Sequence, residues 1–223
     1  MRDPRLIGPA ALVIAAHGSA DPRFDEVVAS IADQVRTSRP GLDVRIGYLD
    51  HGPPSLADVV DADCVVVPLL LAGGYHVRVD LPTQSVGATT ADAVGPDPLL
   101  AAALADRLTE AGYDGRAPIV LAAAGSSDDR ALDDVRTMAA HLSSRLGVEV
   151  AAAYVAAGSP RLGNVDARVV ASYLVAPGTF HDAVASSSAG VVSPPIGDHP
   201  VLARLVLARY DAAAQVPGRT APA

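Results

Sequence analysis

The chain has 223 residues, half of them hydrophobic, with 17 Lys and Arg against 25 Asp and Glu for a formal net charge of −8. That length is enough for one large α/β domain or two small ones. The acidity, the missing basic cluster and the scarcity of aromatics argue against nucleic acid and anionic membrane as partners. The lone Cys64 can close no internal disulfide and is expected to be an inert core thiol in a reducing cytoplasm.

No stretch approaches the roughly 20 apolar residues of a membrane span. The start, MRDPRLIGPAALVIAAHGSA, has the two arginines, apolar run and small residues of a signal peptide. Cleavage there would remove the first strand and His17, so the segment is read as part of the fold. Strand one is expected over Ala11–Ala16, ending abruptly in His17-Gly18-Ser19. Asp21-Pro22 reads as an N-cap with proline at the first helical position. Phe24, Val28, Ile31 and Val35 then recur at helical spacing, and SRPGL ends that helix. DVRIGYL (43–49) reads as a second strand and CVVVPLLL (64–71) as a third. A strand apolar on both faces belongs in a parallel sheet covered by helices on both sides.

The second part of the chain repeats the first. AAHGSADPR (15–23) resembles AAAGSSDDR (122–130), and GLDVRIGYLD (41–50) resembles GVEVAAAYVA (147–156). LLAGGYH (70–76) resembles VAPGTFH (175–181), and GPDPLLAAALADRL (95–108) resembles GDHPVLARLVLARY (197–210). The matches run in one order at nearly one offset, which predicts two homologous halves, each reading strand, helix, strand, short helix, strand, loop, helix, helix. The expected class is α/β, two tandem doubly wound domains with parallel sheets. Residues 1–113 form the first, 114–211 a degenerate second, and 212–223 an unstructured tail. Ligands of such folds sit beyond the carboxyl ends of the strands.

His17, Asp50 and His76 each fall just past a strand of the first half, so all three are expected at one rim. Two imidazoles and a carboxylate there suit a divalent metal, or a base with a polarising partner. The spacing alone is weak, since a histidine at a strand end also serves to cap a turn. Comparison of the halves is more informative: Ala124 stands where His17 does and Ala156 where Asp50 does, while His181 faces His76. The scaffold repeats and the reactive set does not, so the first half is expected to carry the chemistry. His51 reads as an exposed loop residue or an auxiliary ligand. Ser19 and Ser126 read as helix caps, with no G-x-S-x-G around either.

LVIAAHGSADPR, YLDHGPPSL, VVVPLLLAGGYHVRVDLP and VGPDPLL together resemble the sirohydrochlorin chelatases, the class II chelatases that insert cobalt or iron into sirohydrochlorin. The resemblance covers most of residues 11–108 and extends weakly over the second half, a two-half form similar to the long bacterial enzymes of sirohaem synthesis. It implies that His17 and His76 form the metal and proton-transfer site, with Asp50 standing where the family often has Glu. It also implies sirohydrochlorin as substrate, Fe²⁺ or Co²⁺ as co-substrate, no permanently bound cofactor, and a cytoplasmic monomer with two pseudo-symmetric halves. The substrate carries many carboxylates and the protein is acidic, so Arg23, Arg78 and Arg161, with Ser19 and His181, are the expected substrate contacts. Two other readings stay open. A carrier would bind metal or tetrapyrrole through the same histidines without turnover. A histidine phosphatase also uses His-Gly after strand one, but Ala16 occupies the place of its usual arginine.

Overall fold

The computed structural model describes residues 10–74 and 79–215, so the expectations for His76, for Arg78 and for residues beyond 215 fall outside it. In the first half, β1 (Ala11–Ala16) leads to α1 (Pro22–Ser38), β2 (Val44–Tyr48), α2 (Leu56–Val59), β3 (Cys64–Pro68), α3 (Leu81–Gln84), β4 (Thr89–Thr90) and α4 (Pro98–Glu110). The second half runs β5 (Ile119–Gly125), α5 (Asp129–Leu146), β6 (Val150–Ala157), a 3-10 turn (Leu162–Asn164), β7 (Val169–Tyr173), α6 (Thr179–Ala185), β8 (Val191–Val192) and α7 (Pro200–Ala214). The sheets are all parallel, ordered β2-β1-β3-β4 and β6-β5-β7-β8. The same order twice is the duplication that the sequence offsets announce.

Local chemistry explains the elements. Asp21 caps α1 by accepting the Arg23 N–H at 3.0 Å, and Asp128 caps α5 through Arg130 N–H at 3.1 Å. Ser19 and Ser126 sit one step earlier than expected: each hydroxyl accepts the N–H of the capping aspartate, at 3.0 Å. Val28, Ile31 and Val35 of α1 are buried as the periodicity predicts, and so are Ala131, Val135, Met138 and Leu142 of α5. Residues alternate across β1, with Leu12, Ile14 and Ala16 in the large central core and Val13 and Ala15 in a smaller outer one. Cys64 is buried in that outer core, its thiol donating to Asp61 O at 3.1 Å and pushed up in pKa by burial.

Three features depart from the sequence expectation. Each sheet has a fourth strand, of two residues, between the last two helices of its half, where no strand was expected. Helix α7 runs to Ala214, so the first residues of the expected unstructured tail are helical. Most consequentially, the halves exchange their last helices: α4 packs on α5 and β7 of the second half, and α7 packs on α1 and β3 of the first. The exchange is pinned by polar contacts. The Tyr210 hydroxyl donates to Ala10 O at 2.6 Å, and Arg209 donates to Ala93 O at 3.0 Å and to Asp97 at 2.9 Å. Arg39 pairs with Asp211 at 2.8 Å, and Arg107 donates to Ile196 O at 2.9 Å. One apolar core, from Leu12 through Leu104 to Tyr210, therefore runs through both halves.

Candidate functional site

At the carboxyl end of β1 the chain must turn at once, because β2 continues alongside it. Gly18 makes that turn at φ +91°, and a Cβ there would lie 1.9 Å from His51 O. Only glycine combines that backbone angle with that approach. Gly125 repeats the arrangement in the second half, at φ +91° with its virtual Cβ 1.8 Å from Ala157 O. The backbone that holds the site is thus duplicated even where the side chains are not.

This turn aims His17 out of the sheet edge, half-buried. Its Nδ1 lies 3.1 Å from Gly18 O. A carbonyl only accepts, so a hydrogen bond there requires the proton on Nδ1, and in the neutral ring that tautomer carries its lone pair on Nε2. The Asp50 N–H donates to His17 O at 3.1 Å, tying the ends of β1 and β2 together. The His51 ring stands 6.5 Å from the His17 ring, and its Nε2 lies 3.5 Å from Asp50 Oδ2. Two imidazoles and one carboxylate therefore share this rim, but the second imidazole within the described residues is His51, which sequence reading gave as an exposed loop residue or an auxiliary ligand. Its adjacency to Asp50 was the available signal. Among the described residues, no group of three such side chains is close enough to hold a metal ion, and His76 lies outside them.

The other expected contacts fall at or near this edge. Arg23 chelates Asp21 with its guanidinium and reaches across the halves to Asp182 at 3.1 Å, so it is engaged by carboxylates already. Asp21, held by the Arg23 hydrogen bonds, has its pKa lowered. Arg161, past the end of β6, is exposed and donates to Val155 O at 3.2 Å. His181 lies half-buried on α6, its Nε2 without a hydrogen-bond partner among the described residues. The loops of the two sheets meet here: Gly178, ahead of α6, lies against Ser19 and Asp21, and Gly74 lies against Ser126 and Ala131. The carboxyl edges of both sheets thus border one seam.

Two parallel sheets arranged as a duplicated pair, with His17, Asp50 and His51 beyond the carboxyl end of the first, give an α/β protein with a class II chelatase-like fold. The fold is shared with SirB from Bacillus subtilis, solved with Fe³⁺, at a TM-score of 0.75 and 22% identity over 92% of this chain and 95% of that one. It is shared too with CbiX, the terminal enzyme for biosynthesis of siroheme in denitrifying bacteria, at a TM-score of 0.70 and 23% identity over 92% and 99% of the two chains. The CbiX family model matches residues 11–111 of this chain. Among curated relatives, the sirohydrochlorin cobaltochelatase of Methanosarcina barkeri is 32% identical over 73 residues, 30% of this chain. That of Methanococcus aeolicus is 28% identical over 79 residues, 32% of this chain. The matches span 56% and 55% of those relatives' lengths, about half of each. No helix among the described residues is long and apolar enough to cross a membrane.

Proposed function

We propose that this protein inserts a divalent metal ion, Fe²⁺ or Co²⁺, into sirohydrochlorin without ATP. The observation that carries the reading is the placement of His17: an imidazole fixed at the end of the central strand β1, Nδ1 turned to Gly18 O, with the Asp50–His51 pair across the rim. Support comes from the match of residues 11–111 to the CbiX family model and from the cobaltochelatase names of the curated relatives. Two-half structures associated with Fe³⁺ and with siroheme favour iron as the metal of a chain built this way.

Insertion replaces two pyrrole N–H protons by one M²⁺, so the macrocycle keeps its net charge and the protons must be taken up. The Nε2 lone pair of His17 can hold the incoming ion or accept a proton. His76 is proposed as its partner in both roles. Asp50 would draw the cation to the rim and orient an imidazole beside it. Arg161, Arg78 and His181 are proposed contacts for the peripheral carboxylates. Ser19 and Arg23 would act less directly, by holding the start of α1 against the second half. Binding the macrocycle in one pose makes metal delivery effectively intramolecular.

The test is to mix protein, sirohydrochlorin and Fe²⁺ or Co²⁺ without oxygen and follow the absorbance spectrum. Multiple turnovers per protein support insertion. A spectral change that stops at one equivalent identifies a carrier and overturns it.

A further inference from the structure

The segment after β3 leads towards His76, and the second half holds it at two points. The Tyr173 hydroxyl, at the end of β7, donates to Leu71 O at 2.7 Å. The Asp134 carboxylate, on α5, accepts the Gly73 N–H at 2.7 Å. A donor and an acceptor thus grip neighbouring peptide groups of opposite sense. The fold makes room for both: a Cβ on Gly95 would stand 2.5 Å from Leu71 O and 2.8 Å from the Tyr173 hydroxyl, and one on Gly73 would crowd Asp134 at 3.3 Å. Tyr173 is buried, and burial together with the Asp134 and Asp97 carboxylates pushes its pKa far up, so the phenol stays a donor at every working pH.

Among the described residues the first half makes no matching pair of hydrogen bonds to the segment after β7; its contacts there are Gly178 against Ser19 and Asp21 and the Arg23–Asp182 ion pair. By the repeat offset, Asp134 corresponds to Val27 of α1, and by sheet register Tyr173 corresponds to Leu69. Neither can make such a hydrogen bond. The reactive residues His17 and Asp50 were replaced by alanine in the second half, and the clamping residues are apolar in the first. The asymmetry is reciprocal.

We propose that Tyr173 and Asp134 are positioning residues, contributed by the second half, for residues 71–74, and that they act on insertion through His76, which follows two residues on in the sequence. The proposal rests on the metal-insertion reading. Its test compares wild-type protein with Asp134→Ala, Asp134→Asn and Tyr173→Phe. Three quantities are read: kcat and KM for insertion of Co²⁺ into sirohydrochlorin, amide exchange of the peptide over residues 70–78, and the thermal unfolding midpoint.

Asp134→Ala and Tyr173→Phe should speed exchange of that peptide and lower kcat by about 10- to 100-fold, the effect of a reactive group displaced by about 1 Å, with KM within about 2-fold. Asp134→Asn keeps an oxygen that accepts from Gly73 and should stay within about 3-fold of wild type in both measures. In a His76→Ala background, Asp134→Ala should produce no further loss, because the group it positions is gone.

Faster exchange with unchanged kcat overturns the proposal, as does a lowered midpoint with unchanged kcat per folded molecule. An equal further loss in the His76→Ala background overturns it too. Wild-type protein that inserts no metal overturns the metal-insertion reading and the positioning role with it. Exchange that still responds to the variants then marks the failure as one of chemistry, with the clamp itself intact.

Discussion

His17 and Gly18 divide the work of one turn: glycine supplies the backbone angle and the close approach, histidine the nitrogen proposed to take the metal or the proton. Because His17 is half-buried at a rim outside the core clusters, His17→Ala should leave the unfolding midpoint within a few degrees and lower insertion by about 100-fold or more. His51→Ala should cost less, about 10-fold, since its ring stands beside the His17 ring, and His181→Ala less again. Steady-state insertion rates on folded protein check all three; equal losses from all of them would contradict this ranking. Gly18→Ala and Gly125→Ala form a matched pair, because each would collide with a backbone carbonyl at positive φ. Both should destabilise by more than about 2 kcal/mol in denaturant titrations. Only Gly18→Ala should reduce insertion by the molecules that still fold. His17 was legible in the sequence because strand, glycine and histidine are contiguous there. His51 was legible only in part: its adjacency to Asp50 offered it as an auxiliary ligand, but nothing local says that its ring stands 6.5 Å from that of His17.

Among the elements, β1 to β3 and α1 could be read from local pattern and capping. The strands Thr89–Thr90 and Val191–Val192 could not, since two residues carry no period. Helix α4 shows the deeper limit. Its buried face, with Leu100, Leu104 and Leu108, tells that a sheet covers it, but amphipathicity does not say which sheet. The polar contacts decide that after folding. Asp97 caps α4 by accepting Leu99 N–H at 2.9 Å and pairs with Arg209 of α7, both side chains mostly shielded from solvent. Asp97→Ala removes the cap and leaves the guanidinium without this carboxylate, and should destabilise by about 2–4 kcal/mol. Asp97→Asn retains the cap and should recover about 1 kcal/mol of that loss. Chemical denaturation of the two variants measures both figures.

Taken as a molecule, the protein is duplicated in sequence but not divisible where the sequence repeats. A cut after Tyr113 strips α7 from β3 and α4 from β7, opening the shared core on both sides. Fragments 1–113 and 114–223 should each be unfolded or aggregated when made alone. Expressed together they should associate one-to-one and regain insertion. Circular dichroism, size-exclusion chromatography and the insertion assay check this, and a folded, active, monomeric 1–113 would contradict it. The second half is then no appendage: it covers the first sheet and holds the segment after β3.

The exchange also sets the order of events on the ribosome. The first sheet is complete once Thr90 has been translated, yet α7, which packs on β3, β4 and α1, begins at Pro200. On the order of 100 further residues must be polymerised in between, roughly 5–20 s at ordinary elongation speeds. Throughout that interval the nascent first half presents an open aliphatic face. Premature termination anywhere in the second half, however harmless to the residues of the rim, would leave that face permanently uncovered and a target for chaperones and proteases.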